Sequence, residues 1–177
     1  MAFPRHVALR AKTMFLVHGL IPCLGEGLLR ALPLTALLAL VQEGDGKDLM
    51  EVAQVLNQLT IEFGPKSAQL LDSILLPFIR RTYQLTPGAG GGPGGTGAEA
   101  AAEARQQQQL LAHEVAERSG FQKLYFSVVQ HLSSNGLAGV LSSPTNGSHL
   151  DGVLRSVLGG LSGAEDASTK KTCLYIF

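Results

Sequence analysis

Apolar positions return at helical spacing through most of the chain, in blocks set off by glycine and proline. The strongest blocks flank Gly64-Pro65. In the first, Leu49, Val52, Ala53, Leu56, Leu59 and Phe63 share one face, while Lys47, Asp48, Glu51, Gln54, Gln58 and Glu62 fill the other. Asp45 is placed to cap this helix, and Asp48 lies in its first turn, where a negative charge suits the helix dipole. Gly64 can turn left-handed, and Pro65 cannot continue the old helix but fits the start of a new one. The second block carries Leu70, Leu71, Ile74, Leu75, Phe78 and Ile79, a surface too wide for one neighbour. Residues 45–85 therefore predict an αα-hairpin that must stack on others, as in an α-solenoid. Pro77 removes a backbone hydrogen bond and crowds the carbonyl of Ser73. The periodicity runs on through Phe78 and Ile79, which predicts a kink rather than a break.

Weaker blocks lie on either side. A first helix is predicted from about Pro4 to Leu24, with Val7, Leu9, Met14, Leu16, Val17 and Leu20 as its apolar residues. Gly25 and Gly27 loosen the turn after it, and Pro33 starts or bends the next helix, which runs to about Gln42. The tract from Thr86 to Gly97 has no periodicity and nothing to bury, so it reads as a flexible linker. Neither a preceding strand nor a following Lys-Ser or Lys-Thr supports a phosphate loop there. Ala98 to about Ser119 predicts a helix with a sparse apolar face of Leu110, Leu111 and Val115. Phe121, Leu124, Tyr125, Val128, Val129 and Leu132 then mark a strong amphipathic helix that Asn135-Gly136 ends. A turn over Leu137–Leu141 leads to a helix from about His149 to Leu161, carrying Leu150, Val153, Leu154, Val157 and Leu158. The final TKKTCLYIF reads as the start of a helix without its partner, so a chain cut within a repeat is expected.

Composition narrows the function classes. The 177 residues suffice for a sizeable core; 45% are apolar and only 16% charged, so neighbours are expected to cover part of the surface. Formal net charge is zero, which gives no global electrostatic case for nucleic acid or an anionic membrane. Cys23 and Cys173 sit in apolar helical contexts and are expected to be buried free thiols of an intracellular protein, not a disulfide. Arg30 and Pro33 interrupt the richest apolar run, so no membrane span and no membrane insertion are expected. Arg5, Arg10 and Lys12 precede any acidic residue; a plain amphipathic helix is favoured there over a targeting segment. His6, His18, His113, His131 and His149 are scattered, and none stands at ligand spacing from a cysteine or carboxylate. No metal, cofactor or catalytic constellation is expected, so the chain reads as not an enzyme.

Five stretches together resemble the C-terminal part of the exportin-T family, tRNA export receptors of the importin-β superfamily. They are CLGEGLL at 23–29, KDLMEVAQVLNQLTIEF at 47–63, LLPFIRRTYQL at 75–85, LYFSVVQHLSSNGLAGVL at 124–141 and STKKTCLYIF at 168–177. They match in order and spacing, while the Gly-rich tract and the Ala/Gln segment after it depart from the family. The resemblance implies an all-α fold, an α-solenoid of HEAT-like antiparallel helix pairs truncated at the C-terminus. It divides the chain into two pairs over 1–85, an insertion over 86–97, and a third pair plus the start of a fourth over 98–177. It further implies tRNA and Ran-GTP as partners, Ran-GTP mainly through regions this chain lacks, contact with nuclear pore proteins, and shuttling between nucleus and cytoplasm. A helical-repeat adaptor binding only proteins is the alternative. In a HEAT solenoid the second helix of each pair lines the concave face, which makes Arg80, Arg81 and Arg155 the candidate RNA contacts, since guanidinium suits phosphate. Single basic residues are more commonly part of a solvated helix face.

Overall fold

A computed structural model describes residues 6–85, 119–163 and 166–177. The expected linker over 86–97 and the Ala/Gln-rich helix after it, as far as residue 118, lie outside these. Every regular element among the described residues is helical. In chain order they are α1 (Val7–Leu24), α2 (Gly27–Ala31), α3 (Leu34–Glu43), α4 (Gly46–Phe63), a 3₁₀ turn (Gly64–Ser67) and α5 (Ala68–Leu85). Then come α6 (119–134), α7 (Ala138–Leu141), a second 3₁₀ turn (Gly147–His149), α8 (Leu150–Gly163) and α9 (Ala167–Leu174).

The central hairpin forms for the reasons its residues give. Asp45 accepts from the Lys47 and Asp48 amides at 2.9 and 3.0 Å, and Asp48 Oδ2 accepts from the Asp45 amide at 2.9 Å. This reciprocal cap satisfies donors that the first turn of α4 leaves open. Gly64 closes the helix at φ 48°, a conformation that strains any residue with a Cβ, and its amide still bonds Thr60. Pro65 enters the 3₁₀ turn at its start. Further on, α5 runs through Pro77 without ending. The first pair is less simple than expected. A separate five-residue helix, α2, follows α1, and Leu32-Pro33 divides it from α3.

Packing arranges the helices in two layers. In one, α1 lies along α4; in the other, α3 lies along α5; α4 and α5 pack on each other. The next unit repeats the scheme. His131 Nδ1 of α6 meets Asn57 Oδ1 of α4 at 2.9 Å, and the Tyr83 hydroxyl of α5 donates to the Gly152 carbonyl of α8 at 3.1 Å. The turns stack too, since a Cβ on Gly136 would sit 3.7 Å from Pro65. Like helices thus stack on like helices in an all-α helical repeat, each unit completing its core on the next. The buried cluster runs without interruption from Met14 to Cys173, with Leu56, Leu59, Ile74, Leu75 and Phe78 at its centre. At Gly160 α8 touches both α6 and α9. A Cβ there would lie 2.7 Å from the Phe126 ring and 2.9 Å from Cys173 Sγ, so only glycine fits.

Three expectations about α1 and the cysteines are corrected. Cys173 is buried, and burial pushes its thiol up, but Cys23 is exposed. The apolar residues of α1 do not all face inward: Met14, Val17 and Ile21 are buried, whereas Phe15 is 82% exposed and Leu16 58%. This helix is also long and apolar enough to cross a membrane, with a mean hydropathy of 1.4 over 18 residues. In the fold its inner side packs on α4. The Arg10 guanidinium, buried on that side, lies 2.8 Å from Asp48 and 3.5 Å from Asp45, on the α4 cap. Asp48 beside it raises the Arg10 pKa further, and the cap amides hold the Asp45 carboxyl low.

The two histidines between stacked helices differ in setting. His18 of α1 bonds Gln58 at 2.8 Å and lies 3.4 Å from Glu51, while the His131 ring bonds Asn57 alone among the described residues. Burial lowers the His131 pKa below its ordinary 6.5. The unfolded chain therefore takes up this proton more readily than the folded one. The His131 contribution is complete above pH 6.5 and is lost as the pH falls from there through the lower folded value. Urea midpoints are expected to fall between pH 7 and about pH 5.5, and to fall less in His131→Gln, which can still bond Asn57. Equal acid sensitivity in both proteins would place the titration elsewhere.

Candidate nucleic-acid interface

The three candidate arginines lie on second-layer helices, Arg80 and Arg81 on α5 and Arg155 on α8, but they are not gathered into one cluster of contacts. Arg80 is exposed, and its Nη2 lies 3.2 Å from His149 Nε2 in the 3₁₀ turn before α8. A neutral His149 can accept there, while a protonated one would repel the guanidinium. Arg81 turns the other way. Its Nη2 donates to the Gly44 carbonyl at 3.1 Å and its Nη1 to Gln84 at 3.2 Å. Gly44 follows the last residue of α3, so Arg81 places a cation where that helix presents free carbonyls. Arg155 stands in open solvent and donates from Nε to Asp151 at 2.8 Å, one helical turn away. Such an exposed pair contributes little to stability.

Several neighbours of these groups carry no signal in the sequence. His149 reads there as one of the scattered histidines, yet it is the direct partner of Arg80. Tyr83, 39% exposed, stands one turn beyond Arg80, and its hydroxyl reaches Tyr125 at 3.3 Å. Tyr125 in turn meets Ser156 at 2.9 Å, and burial pushes its phenol well above the ordinary range. These contacts tie α5, α6 and α8 together directly behind the Arg80 surface. Their partners are 31 to 69 residues apart in sequence, and no spacing rule reaches that far.

Farther along, Lys123 of α6 lies 3.1 Å from Asp166, the cap of α9. That ammonium, with the Thr169 amide, holds the Asp166 carboxyl down to about 2. Lys170 and Lys171 of α9 are exposed, and Lys171 Nζ lies 5.8 Å from the centre of the Tyr175 ring. Among the described residues no three His, Cys, Asp or Glu side chains gather as metal ligands. What the second layer offers is a surface of separate cations beside an exposed tyrosine, suited to contacting phosphate or acidic groups one at a time.

Stacked helix pairs carrying such a surface make the chain a helical-repeat scaffold. The sequence model of the Exportin-T family matches residues 2–177, and the chain belongs to that family. Among named relatives it is similar to Exportin-T of Oryza sativa subsp. japonica, 24% identical over 99% of this chain, and of Arabidopsis thaliana, 23% identical over 99%. It is also similar to Exportin-T of Homo sapiens, 25% identical over 95% of this chain. In each case it spans 16% of the relative's length. No solved structure matches.

Proposed function

We propose that the chain is part of a nuclear export receptor that carries tRNA out of the nucleus with Ran-GTP, acting as one arc of a wrapping scaffold. The match to the Exportin-T family along residues 2–177 carries this reading. In it, 1–85 form two HEAT-like pairs, 86–97 an insertion, and 98–177 a third pair with the start of a fourth. Arg80, Arg81 and Arg155 contact tRNA phosphates. Ran-GTP is held mainly elsewhere, nuclear pore proteins are met in transit, and the receptor shuttles between nucleus and cytoplasm. Binding and release need no catalytic group and no cofactor.

The geometry ranks the three arginines. Arg80 and Arg155 reach solvent, whereas Arg81 already spends two N–H groups inside the fold. In the intact receptor, Arg80→Glu with Arg155→Glu should therefore weaken tRNA binding about tenfold or more, and flatten its salt dependence by about two phosphate contacts. Arg81→Glu should mainly cost stability by removing a partner of the α3 terminus. Filter binding at two salt concentrations, with and without Ran-GTP, measures this. Unchanged affinity and salt slope in the double variant would favour the protein-only adaptor. That second reading has one observation on its side: the chain has zero net charge, with 14 basic and 14 acidic residues.

A further inference from the structure

Near the start of α5, an open cleft of about 460 Å³ lies between α2, the start of α3 and the first two turns of α5. That is the size of a site for a small ligand or a few residues of peptide. Its apolar part is aliphatic. Leu32 is buried, and Leu29 and Leu70 are half-buried, resting on the core with one side open. Its rim is polar and unevenly charged. Lys66 pairs with Glu26 across one part of it, and this bond holds the Glu26 carboxyl below its usual range. Those two charges cancel. Arg30 makes no hydrogen bond or ion pair with any described residue and acts on Glu26 only at longer range, so the cleft as a whole carries a net positive charge.

Main-chain recognition is provided for as well. The side-chain amide of Gln69 has one donor group and one acceptor and bonds neither within the described residues. Ser73 also lines the cleft, and its carbonyl has no helical donor, because position 77 is proline. An extended peptide presents alternating N–H and C=O groups that match such a set.

We propose that this cleft docks an extended segment of a partner protein in which an aliphatic side chain stands beside acidic residues. The aliphatic group fills the leucine floor, an acidic side chain meets Arg30, and the backbone bonds Gln69. RNA fits less well. The cleft has no aromatic ring for a base to stack on, and a single free cation neutralises few phosphates. The inference does not depend on tRNA binding at the Arg80 surface.

Fluorescence anisotropy on the 177-residue chain tests it with a labelled acidic peptide carrying a central pair of leucines. Binding is expected with a Kd on the order of 10⁻⁴ M, as suits so small a site. Arg30→Glu should weaken it about tenfold or more, as loss of a charge-assisted contact does, and raised salt should weaken the wild-type complex. Arg30 is exposed, so this variant should melt like the wild type. Gln69→Glu, which adds a repelling charge to the rim, should weaken binding independently. The same peptide with serines for leucines, or with lysines for its acidic residues, should bind far less. Equal binding by wild type and Arg30→Glu, equal binding of the serine peptide, or displacement of the peptide by a short polyuridine would each overturn the proposal.

Discussion

Replacing Phe78 by alanine should lower the stability of the folded chain by about 3–5 kcal/mol, the usual cost of deleting a fully enclosed aromatic ring. Phe78 has no exposed surface and follows Pro77 in the middle of α5. Its ring belongs to the buried cluster, on a helix that packs against both α3 and α4. Pro77 also denies α5 one backbone bond, which leaves that stretch more dependent on side-chain packing. Urea denaturation at neutral pH measures the change. The comparison is Leu158→Ala, on an α8 residue 55% exposed, which should cost no more than about 0.5 kcal/mol. If the two variants melted alike, the buried cluster would be misplaced.

The second large effect comes from a polar residue. Asn146 is 3% exposed, and its Nδ2 donates to Asp72 Oδ1 at 2.8 Å and to the Val140 carbonyl at 3.0 Å. Ser143 and Thr145 donate to the same Asp72 carboxylate, so one side chain of α5 gathers the whole loop between α7 and α8. Asn146→Ala strips a buried carbonyl and a partly buried carboxylate of a donor, which should cost about 2–3 kcal/mol. Asn146→Asp should be worse at neutral pH, because it sets a second carboxylate against Asp72. Acidification should recover part of that loss by protonating one of the pair. Thermal or urea melts at neutral and acidic pH distinguish the two variants. An aspartate variant as stable as the alanine one at pH 7 would contradict this geometry.

What could be read from the sequence was what neighbouring residues decide among themselves. Asp45, Gly64 and Pro65 act within a few positions of where they stand: α4 begins after Asp45 and ends before Gly64, while Pro65 opens a 3₁₀ turn that leads into α5 at Ala68. The apolar face of α4 is buried as its spacing implies. In α1 the apolar residues run most of the way round, so an amphipathic reading that turns Leu16 inward and buries Cys23 fails, and the fold leaves both exposed, with Phe15 beside them. The short α2 was hidden because Gly25 and Gly27 read as plain turn. The candidate interface was less legible still. Basic residues on second helices could be picked out, but Arg81 meets its α3 partner across 37 positions and Arg80 meets His149 across 69. Asp72 gave no local hint that a loop more than 70 positions later would close on it.

Helix α4 is bonded from two directions at once. Arg10 and His18 of α1 reach it from one side, and His131 of α6 reaches it from the other. Fraying that begins at α1 still leaves α4 shielded by α6, and a disturbance beginning at α6 leaves it shielded by α1. Its amide hydrogens can then trade with solvent only after both flanks have opened together. Two independent openings multiply their small probabilities, so α4 stays closed through excursions that each flanking helix makes alone.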